Sequence, residues 1–309
     1  MAVSKGPSSV AREVVMTVRP SITARGMYTG DSGRPGGPCF FGAPMRTSIS
    51  NPGYDPSKER TWHLSIWAST SVTGWAVHEH GTGRCMAVHV ASGEDLPDTE
   101  ELPVRPHRTS FVALPEISTL VPESALTPGT ELQHLKLVHG VLPTGLLRDE
   151  PLEALGARCI YLHDEATEHR LLKRFPAARP MPLQGLMVRS VLRHASEGPA
   201  LLVLRTAQRV DLAVARDGRV ILSNAFHART AEDMLYYILF ALERTGLAPN
   251  EVTVALGGSH LEENETNLLR DYLSDLRPSL NAGDLVVNGL ALSAPERFSG
   301  LLEQCACAS

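Results

Sequence analysis

The sequence is poor in aromatic residues, which make up 5% of its 309 residues, although 43% are hydrophobic. Its apolar runs all fall well short of the ~20 residues of a membrane span. The ~7–15-residue apolar core of a secretory signal is also absent before Met27. The five cysteines are an odd set without a Cys-x-x-Cys pair, which argues against a zinc ribbon or a redox motif. We therefore expect a cytoplasmic protein with reduced thiols and no membrane span.

The length itself is informative about folding. A chain of this size buries on the order of 75% of the surface that its unfolded form exposes, so it needs neither disulfides nor a metal to fold. The length allows one large domain or two.

Charge is distributed unevenly along the chain. The net charge is −5, but residues 1–60 hold 8 Lys and Arg against 4 Asp and Glu, leaving 21 against 30 in the remainder. An acidic body makes nucleic-acid binding unlikely, because such binding needs a basic face to displace counterions. Residues 1–59 are rich in Gly and Pro and lack periodicity, which predicts a disordered extension. A start codon misassigned upstream of Met27 or Met45 would explain this segment equally well.

Order is predicted to begin near Trp62. Alternating apolar residues predict three antiparallel strands, at 63–69, 72–79 and 84–90. Short extended segments follow at 110–115 and 118–122, with another predicted strand at 135–139. A buried strand from Cys159 and a helix over 164–175 complete this half.

The second half repeats this order. A helix is predicted over 183–194, followed by strands near 199–205, 210–214 and 220–224, the last two joined by the hairpin turn Asp217-Gly218. Thr230 and Asp233 form a capping-box-like start to a helix over 231–245, which Gly246 ends. A buried strand at 251–256 and a helix over about 262–276 follow.

Each half therefore has three meandering strands followed by an α/β portion. This is the order of the RNase H-like domains that are duplicated in actin-like ATPases. The expected fold is α/β with mixed sheets: two RNase H-like subdomains, at 60–182 and 183–298, in an actin-like ATPase arrangement. Residues 299–309 are expected to form a C-terminal tail, with Cys305 and Cys307 exposed.

The long helix carries a family resemblance. The run Ser223-Asn-Ala-Phe-His-Ala-Arg-Thr-Ala-Glu-Asp-Met-Leu-Tyr-Tyr-Ile-Leu-Phe, followed by Gly246-Leu-Ala-Pro, resembles the bacterial family catalogued as domain of unknown function 3822. Weaker matches lie in the same order at His63-Leu-Ser-Ile, Thr119-Leu-Val-Pro and Leu256-Gly-Gly. The resemblance covers approximately residues 60–280. It implies an actin-like fold with a cleft between two subdomains, and implies no activity by itself.

An actin-like ATPase needs an Asp and glycines on the first turn of each meander, where the backbone approaches the phosphates and the carboxylate organises Mg²⁺. The first turn here, residues 68–74, has small hydroxyl residues, one late Gly and no Asp. The second, residues 204–210, carries Arg205, Gln208 and Arg209, and Asp211 comes one strand residue too late. We therefore expect no Mg²⁺-dependent hydrolysis, no catalytic residues and no metal site.

Other functions remain open for the residues at these turns. Arg205 and Arg209 could bind an anion directly or could be solvated turn arginines. Gly257, Gly258 and Ser259 resemble the adenosine-binding end of such ATPases, so an adenine nucleotide is the one cofactor considered. The same glycines would equally permit a tight strand-to-helix turn with nothing bound.

Two further clusters could carry a function. His78, Glu79 and His80 offer two imidazoles, which leave a zinc site incomplete, so a polar strand end is the preferred interpretation. On the long helix, Glu232, Tyr236 and Tyr237 could contact a ligand or a partner. Adjacent tyrosines point about 100° apart, which suits one packing on the sheet and the other lying at a cleft or interface.

The leading hypothesis is a non-catalytic actin-like protein that acts as a binding or scaffolding module, with an unidentified protein partner or a second copy of itself. One rival binds an adenine nucleotide at Gly257-Gly258 without metal chemistry. A second rival, an RNase H-like nuclease, would need carboxylates on the first strands, where His63, Ser65, Ser69 and Thr73 stand instead.

Overall fold

The computed structural model describes residues 46–96, 100–280, 290 and 292–307. Most of the extension predicted at 1–59, including both alternative start methionines, lies outside the described residues. The described strands are β1 (Arg46–Ser50), β2 (Trp62–Ala68), β3 (Val72–Glu79), β4 (Cys85–Ser92), β5 (Arg108–Ala113), β6 (Glu116–Pro122), β7 (Leu146–Leu152), β8 (Ala157–His163), β9 (Arg179–Pro180), β10 (Ala200–Thr206), β11 (Arg209–Arg216), β12 (Arg219–His227), β13 (Thr253–Gly257) and β14 (Leu276–Pro278). The described helices are α1 (Glu131–His139), α2 (Glu165–Arg174), α3 (Leu183–His194), α4 (Ala231–Thr245), α5 (Glu263–Arg270), α6 (Ser299–Leu302) and α7 (Gln304–Cys307).

The two larger sheets share one plan. The first has the strand order β1-β4-β3-β2-β5-β9 and the second has β12-β11-β10-β13-β14. In each, three strands form an antiparallel meander, and the two strands that follow run parallel to the first strand of that meander. A smaller antiparallel sheet, β6-β8-β7, accompanies the first. The mixed α/β architecture with a repeated meander is therefore as predicted.

One large core joins the two halves. It contains Ala76 and Val112 from the first sheet, Leu186 from α3, and Leu202 and Ala213 from the second sheet. Burying a large apolar side chain contributes about 1.5–3 kcal/mol, so this shared cluster is a major source of stability. The division into subdomains at residues 182 and 183 stays a prediction, since these contacts cross it.

Local signals in the second half are confirmed. Thr230 and Asp233 form a capping box at the start of α4, and Gly246 ends the helix with a left-handed φ of 65°. Asp217 and Gly218 also have positive φ values, 52° and 69°, as a two-residue hairpin between β11 and β12 requires.

Two predicted elements differ from the structure, and strand β7 was not predicted. Residues 135–139 are the end of helix α1 rather than a strand. Leu135 is buried, and Gly140 ends the helix with a positive φ of 74°. The helix predicted over 262–276 stops at Arg270, and β14 follows it. Strand β7 was missed, because Leu146–Leu152 carries Arg, Asp, Glu and Pro in place of an alternating apolar pattern.

Both ends of the described chain depart from the prediction. Residues 46–50, within the predicted extension, form strand β1 along the edge of β4. Residues 299–304, within the predicted tail, pack inward: Leu302 and Gln304 are fully buried. Cys305 and Cys307 are half-buried rather than exposed.

Candidate functional site

The cleft of this fold lies where the carboxyl ends of β2 and β10 approach each other. Trp67 and Val72 line it from the first sheet, and Leu204, Thr206 and Gly258 line it from the second. Ligands of open α/β sheets bind at such carboxyl edges. The space that remains here is only about 20 Å³, roughly the volume that one water molecule occupies.

The cleft is filled by the C-terminal segment, residues 295–304. Arg297, Phe298, Gly300 and Leu301 lie between the two sheets. A Cβ atom on Gly300 would stand 2.4 Å from Cζ3 of Trp67, closer than any side chain allows. The backbone of α6 therefore lies directly on the indole.

Polar contacts hold this segment in place. The Gln304 amide Nε2 donates to the carbonyl oxygen of Ile66 at 3.0 Å, and its Oε1 accepts from the Ser110 hydroxyl at 3.0 Å. Glu303 accepts from Ser190 of α3 at 2.9 Å and pairs with Arg193 at 3.1 Å. The segment thus connects the first sheet to the helix that underlies the second.

Two hydroxyls of the first predicted phosphate turn are bonded to backbone groups. The Ser69 hydroxyl donates to the Val72 carbonyl at 2.6 Å and accepts from the Val72 amide at 3.0 Å. Thr73 donates to the carbonyl of Gly93 at 2.8 Å. As the sequence indicates, this turn presents no carboxylate.

Arg205, at the second turn, is a buried structural residue. Its side chain is 5% exposed, and its Nε donates to Glu265 of α5 at 2.8 Å. Its Nη1 donates to the carbonyls of Thr206 and Ala228 at 3.0 and 2.9 Å. The guanidinium is therefore not that of a solvated turn arginine, and its role in binding an anion stays a prediction.

Arg209 connects the second sheet to the small sheet. Its guanidinium forms a two-pronged pair with Asp211, with Nη2 to Oδ1 at 2.6 Å and Nε to Oδ2 at 2.9 Å, and Nη1 donates to the carbonyl of Glu116. The pair faces a pocket of about 170 Å³ between β6, α3 and β12. Asp211, which comes too late for the phosphate turn, serves here to neutralise Arg209.

Glu116 is a charged group that the sequence did not single out. It is fully buried, and its Oε2 accepts from the amide of Leu183 at 3.0 Å, capping α3 in place of Pro182, which has no capping side chain. Burial raises the pKa of the Glu116 carboxyl to about 7, against the opposing effect of Arg209. The contact spans 67 residues, so no local pattern could have revealed it.

Gly257, the last residue of β13, and Gly258 lie against backbone of the protein itself. Gly258 has φ +118°, and a Cβ on it would stand 2.1 Å from the carbonyl oxygen of Arg205. A Cβ on Gly257 would stand 2.6 Å from the carbonyl oxygen of Glu296. The Ser259 hydroxyl lies 2.9 Å from Nδ1 of His260. The backbone approach that these glycines permit is made by the protein's own chain.

The tyrosine pair on α4 divides as its spacing predicts. Tyr237 stacks on Phe226 of β12 with ring centroids 4.4 Å apart, whereas Tyr236 is half exposed and lies beside Phe240. Glu232 is exposed and lines a polar cavity of about 320 Å³ together with Arg205 and Arg229. The sequence-predicted site residues are therefore distributed over several places rather than gathered in one.

The histidine motif on β3 does not form a ligand pair. His78 is fully buried, and neither of its ring nitrogens has a hydrogen-bond partner among the described residues. Burial lowers its pKa to about 3. His80 lies past the end of the strand and packs against His107, with ring centroids 4.1 Å apart.

The described residues contain neither a metal-binding cluster nor a membrane-spanning helix. Within this part of the chain, no group of three or more His, Cys, Asp and Glu side chains is arranged to hold a metal ion. Nor does any helix there combine the length and apolarity needed to cross a bilayer.

Comparison with solved structures shows the fold. A Bacteroides thetaiotaomicron VPI-5482 protein, described as having an actin-like ATPase fold and unknown function, matches with a TM-score of 0.66 and 15% identity, covering 81% of this chain and 97% of its own. This chain therefore has an actin-like ATPase fold. Weaker likenesses include the PilM-PilN type IV pilus biogenesis complex, with TM-score 0.47, 14% identity and coverage of 80% and 98%. Another is the ethanolamine utilization protein EutJ from Carboxydothermus hydrogenoformans, with TM-score 0.47, 8% identity and coverage of 83% and 92%.

The sequence comparison identifies the family. The profile described as "Protein of unknown function (DUF3822)" matches residues 112–276, more than half of the chain. The chain belongs to this family, as the tyrosine-pair helix suggests. No curated protein matches it.

Proposed function

We propose that this protein is a non-catalytic member of the actin-like class that acts as a cytoplasmic binding or scaffolding module. The observation that carries the proposal is the packing of Gly300 on Trp67, which places the protein's own C-terminal segment in the cleft. Inserting a nucleotide there would require this segment to leave and would break the Gln304 and Glu303 contacts.

The chemistry of the turns supports the same proposal. Mg²⁺ needs carboxylate and water oxygens in octahedral geometry, and the first turn offers hydroxyls in place of a carboxylate, with those of Ser69 and Thr73 already bonded. The carboxylates of Asp211 and Glu265, near the second turn, are paired with Arg209 and Arg205. The residues present therefore do not fit a magnesium–triphosphate complex.

The nucleotide-binding alternative is not favoured. Gly257 and Gly258 would have to present open backbone to an adenosine ring, but both lie against backbone atoms of Glu296 and Arg205. The Gly258 amide also donates to the Glu296 carbonyl at 2.9 Å. A ligand could reach these glycines only after residues 295–300 moved away.

The test is a nucleotide series on the purified protein. We expect no Mg²⁺-dependent phosphate release above background from ATP, and no thermal stabilisation by adenosine, which lacks phosphates. A ligand at 100 times its Kd would add ~2.7 kcal/mol of stability, so binding would be plain. Hydrolysis, or a saturable shift with adenosine, would overturn the proposal.

Within this proposal, the exposed face of α4 is a candidate contact surface. Tyr236 is half exposed, Phe240 stacks beside it, and Arg244 lies over the Phe240 ring at 5.2 Å. Such clusters of aromatic residues and arginine are typical of interface centres. Tyr236→Ala should weaken the binding of a protein partner or the association of a homodimer. Crosslinking of the wild-type protein and the variant would show which of these two contacts the surface makes.

A further inference from the structure

A large basic cavity lies at the end of the first sheet that is remote from the cleft. It has a volume of about 610 Å³ and is bounded by the first residues of β5, the loop before them, and the connection from α2 to β9. His63 lies opposite Arg108, and Ser110 lies opposite Arg179, in the register of β2, β5 and β9. The cavity is therefore at the amino ends of the parallel strands, whereas the cleft is at their carboxyl ends.

The lining of this cavity is strongly positive. Its charged and titratable side chains are all cationic or imidazole groups: His63, Arg105, His107, Arg108, Arg174 and Arg179. None of the described lining residues is Asp or Glu. Arg105 pairs with Glu59 at 3.2 Å, where both side chains are largely exposed. The concentration of positive charge is unusual in a chain whose net charge is −5.

Desolvation and neighbouring cationic groups lower the pKa of both His63 and His107. Burial, followed by the Arg108 guanidinium and the neighbouring imidazoles, lowers the pKa of His63 to about 4. The pKa of His107 is also lowered, by desolvation first and then by His80 and Arg108. An anion in the cavity would relieve this repulsion.

The charge of the lining and the size of the cavity suit phosphate groups. The guanidinium fork matches two phosphate oxygens at once, and four such groups around one cavity favour a ligand with several phosphates over a single monovalent anion. A volume of about 610 Å³ lies within the range of small-molecule sites, ~300–1,000 Å³. The buried hydroxyl of Ser110, 3.0 Å from His63 Nε2, adds a fixed polar group at the floor.

We propose that this cavity binds a small anion carrying two or more phosphate groups. The site is separate from the cleft and from the proposed scaffolding surface, so it would give the protein a ligand-dependent state that the filled cleft does not supply. Because strands β2 and β5 carry both the cavity and the contacts of Ser110 with Gln304, ligand binding would stabilise the first sheet as a whole.

The experiment is isothermal titration with inorganic pyrophosphate and tripolyphosphate at constant ionic strength. The test variant is Arg108→Gln/Arg179→Gln, and the matched control, with the same charge change on exposed arginines elsewhere, is Arg219→Gln/Arg270→Gln. We expect saturable binding to wild-type and control, and affinity at least tenfold weaker in the test variant. No binding at millimolar probe, or equal loss in both variants, would overturn the proposal.

Two further arms separate other sources of binding. A single-stranded oligonucleotide that binds while tripolyphosphate does not would contradict the small-anion site and indicate a nucleic-acid surface. ATP that stabilises wild-type but not the test variant would support this cavity. ATP that stabilises both equally would contradict the exclusion of nucleotide from the cleft instead, so failures of the two proposals are distinguishable.

Discussion

The Cα of Gly300 packs against the indole ring of Trp67, leaving no room for a side chain at residue 300. Trp67 lies near the end of β2, next to the first predicted phosphate turn, and Gly300 belongs to the C-terminal segment that follows β14. The contact therefore closes the cleft with residues from opposite ends of the described chain.

Gly300→Ala should destabilise the protein by about 1–3 kcal/mol, the usual cost of overpacking a core. The sign is informative, because Ala in place of Gly normally stabilises a helix by about 0.5–1 kcal/mol. Urea unfolding measures the change. Gly53→Ala is the control, since only the Asn51 side chain lies near its added methyl. A stabilised Gly300→Ala protein would show that α6 does not lie on Trp67.

Arg205→Met should cost about 3–5 kcal/mol, because it leaves the buried Glu265 carboxylate unpaired. The double variant Arg205→Met/Glu265→Met should lose less than the sum of the single changes. Arg216→Met is the control, because its contact with Asp217 is exposed and such pairs contribute about 1 kcal/mol or less. Strict additivity in the double-mutant cycle would refute the buried pair.

Glu116→Gln should alter how stability depends on pH. The folded pKa is raised from 4.5 to about 7, so the folded protein retains a proton that the unfolded chain releases. Wild-type stability therefore falls, relative to the variant, as pH rises from about 4.5 to 7. The shift corresponds to roughly 3 kcal/mol. Unfolding free energies across this range test it, with exposed Glu243→Gln as control, and a constant difference would contradict the buried carboxyl.

His78→Leu should make the protein more resistant to acid. The folded pKa of His78 is depressed to about 3 from 6.5, so its contribution is present above 6.5 and is lost as pH falls. At about pH 5 the variant should gain roughly 2 kcal/mol relative to its value at neutral pH. Exposed His169→Gln is the control. If the variant gained nothing on acidification, His78 would have to be accessible to protons in the folded state.

Much of the fold follows from local pattern. The alternation of apolar residues along β3, the Asp217-Gly218 turn and the capping box at Thr230 each act within a few residues, so the sequence alone predicts them. The strand order then follows from the repeated meander. Strand β7 and helix α1 escape prediction because tertiary contacts, rather than a strong amphipathic pattern, stabilise them.

The site depends on contacts that a local pattern does not encode. Arg205 meets Glu265 across 60 residues, and Gln304 meets Ile66 across 238. The sequence shows that the phosphate turns lack the Asp and glycines that an actin-like ATPase needs there. It does not show that the C-terminal segment occupies the cleft in place of a ligand. Buried Glu116 is equally invisible, since only the assembled sheets exclude water from it.

The most direct test of the closed cleft is a titration of the Arg108→Gln/Arg179→Gln protein with MgATP, because this variant removes the basic cavity as a second site. If the cleft is closed to nucleotide, we expect no saturable heat or thermal shift at millimolar nucleotide, and phosphate release no faster than background. Saturable binding accompanied by Mg²⁺-dependent phosphate release would contradict the closed cleft.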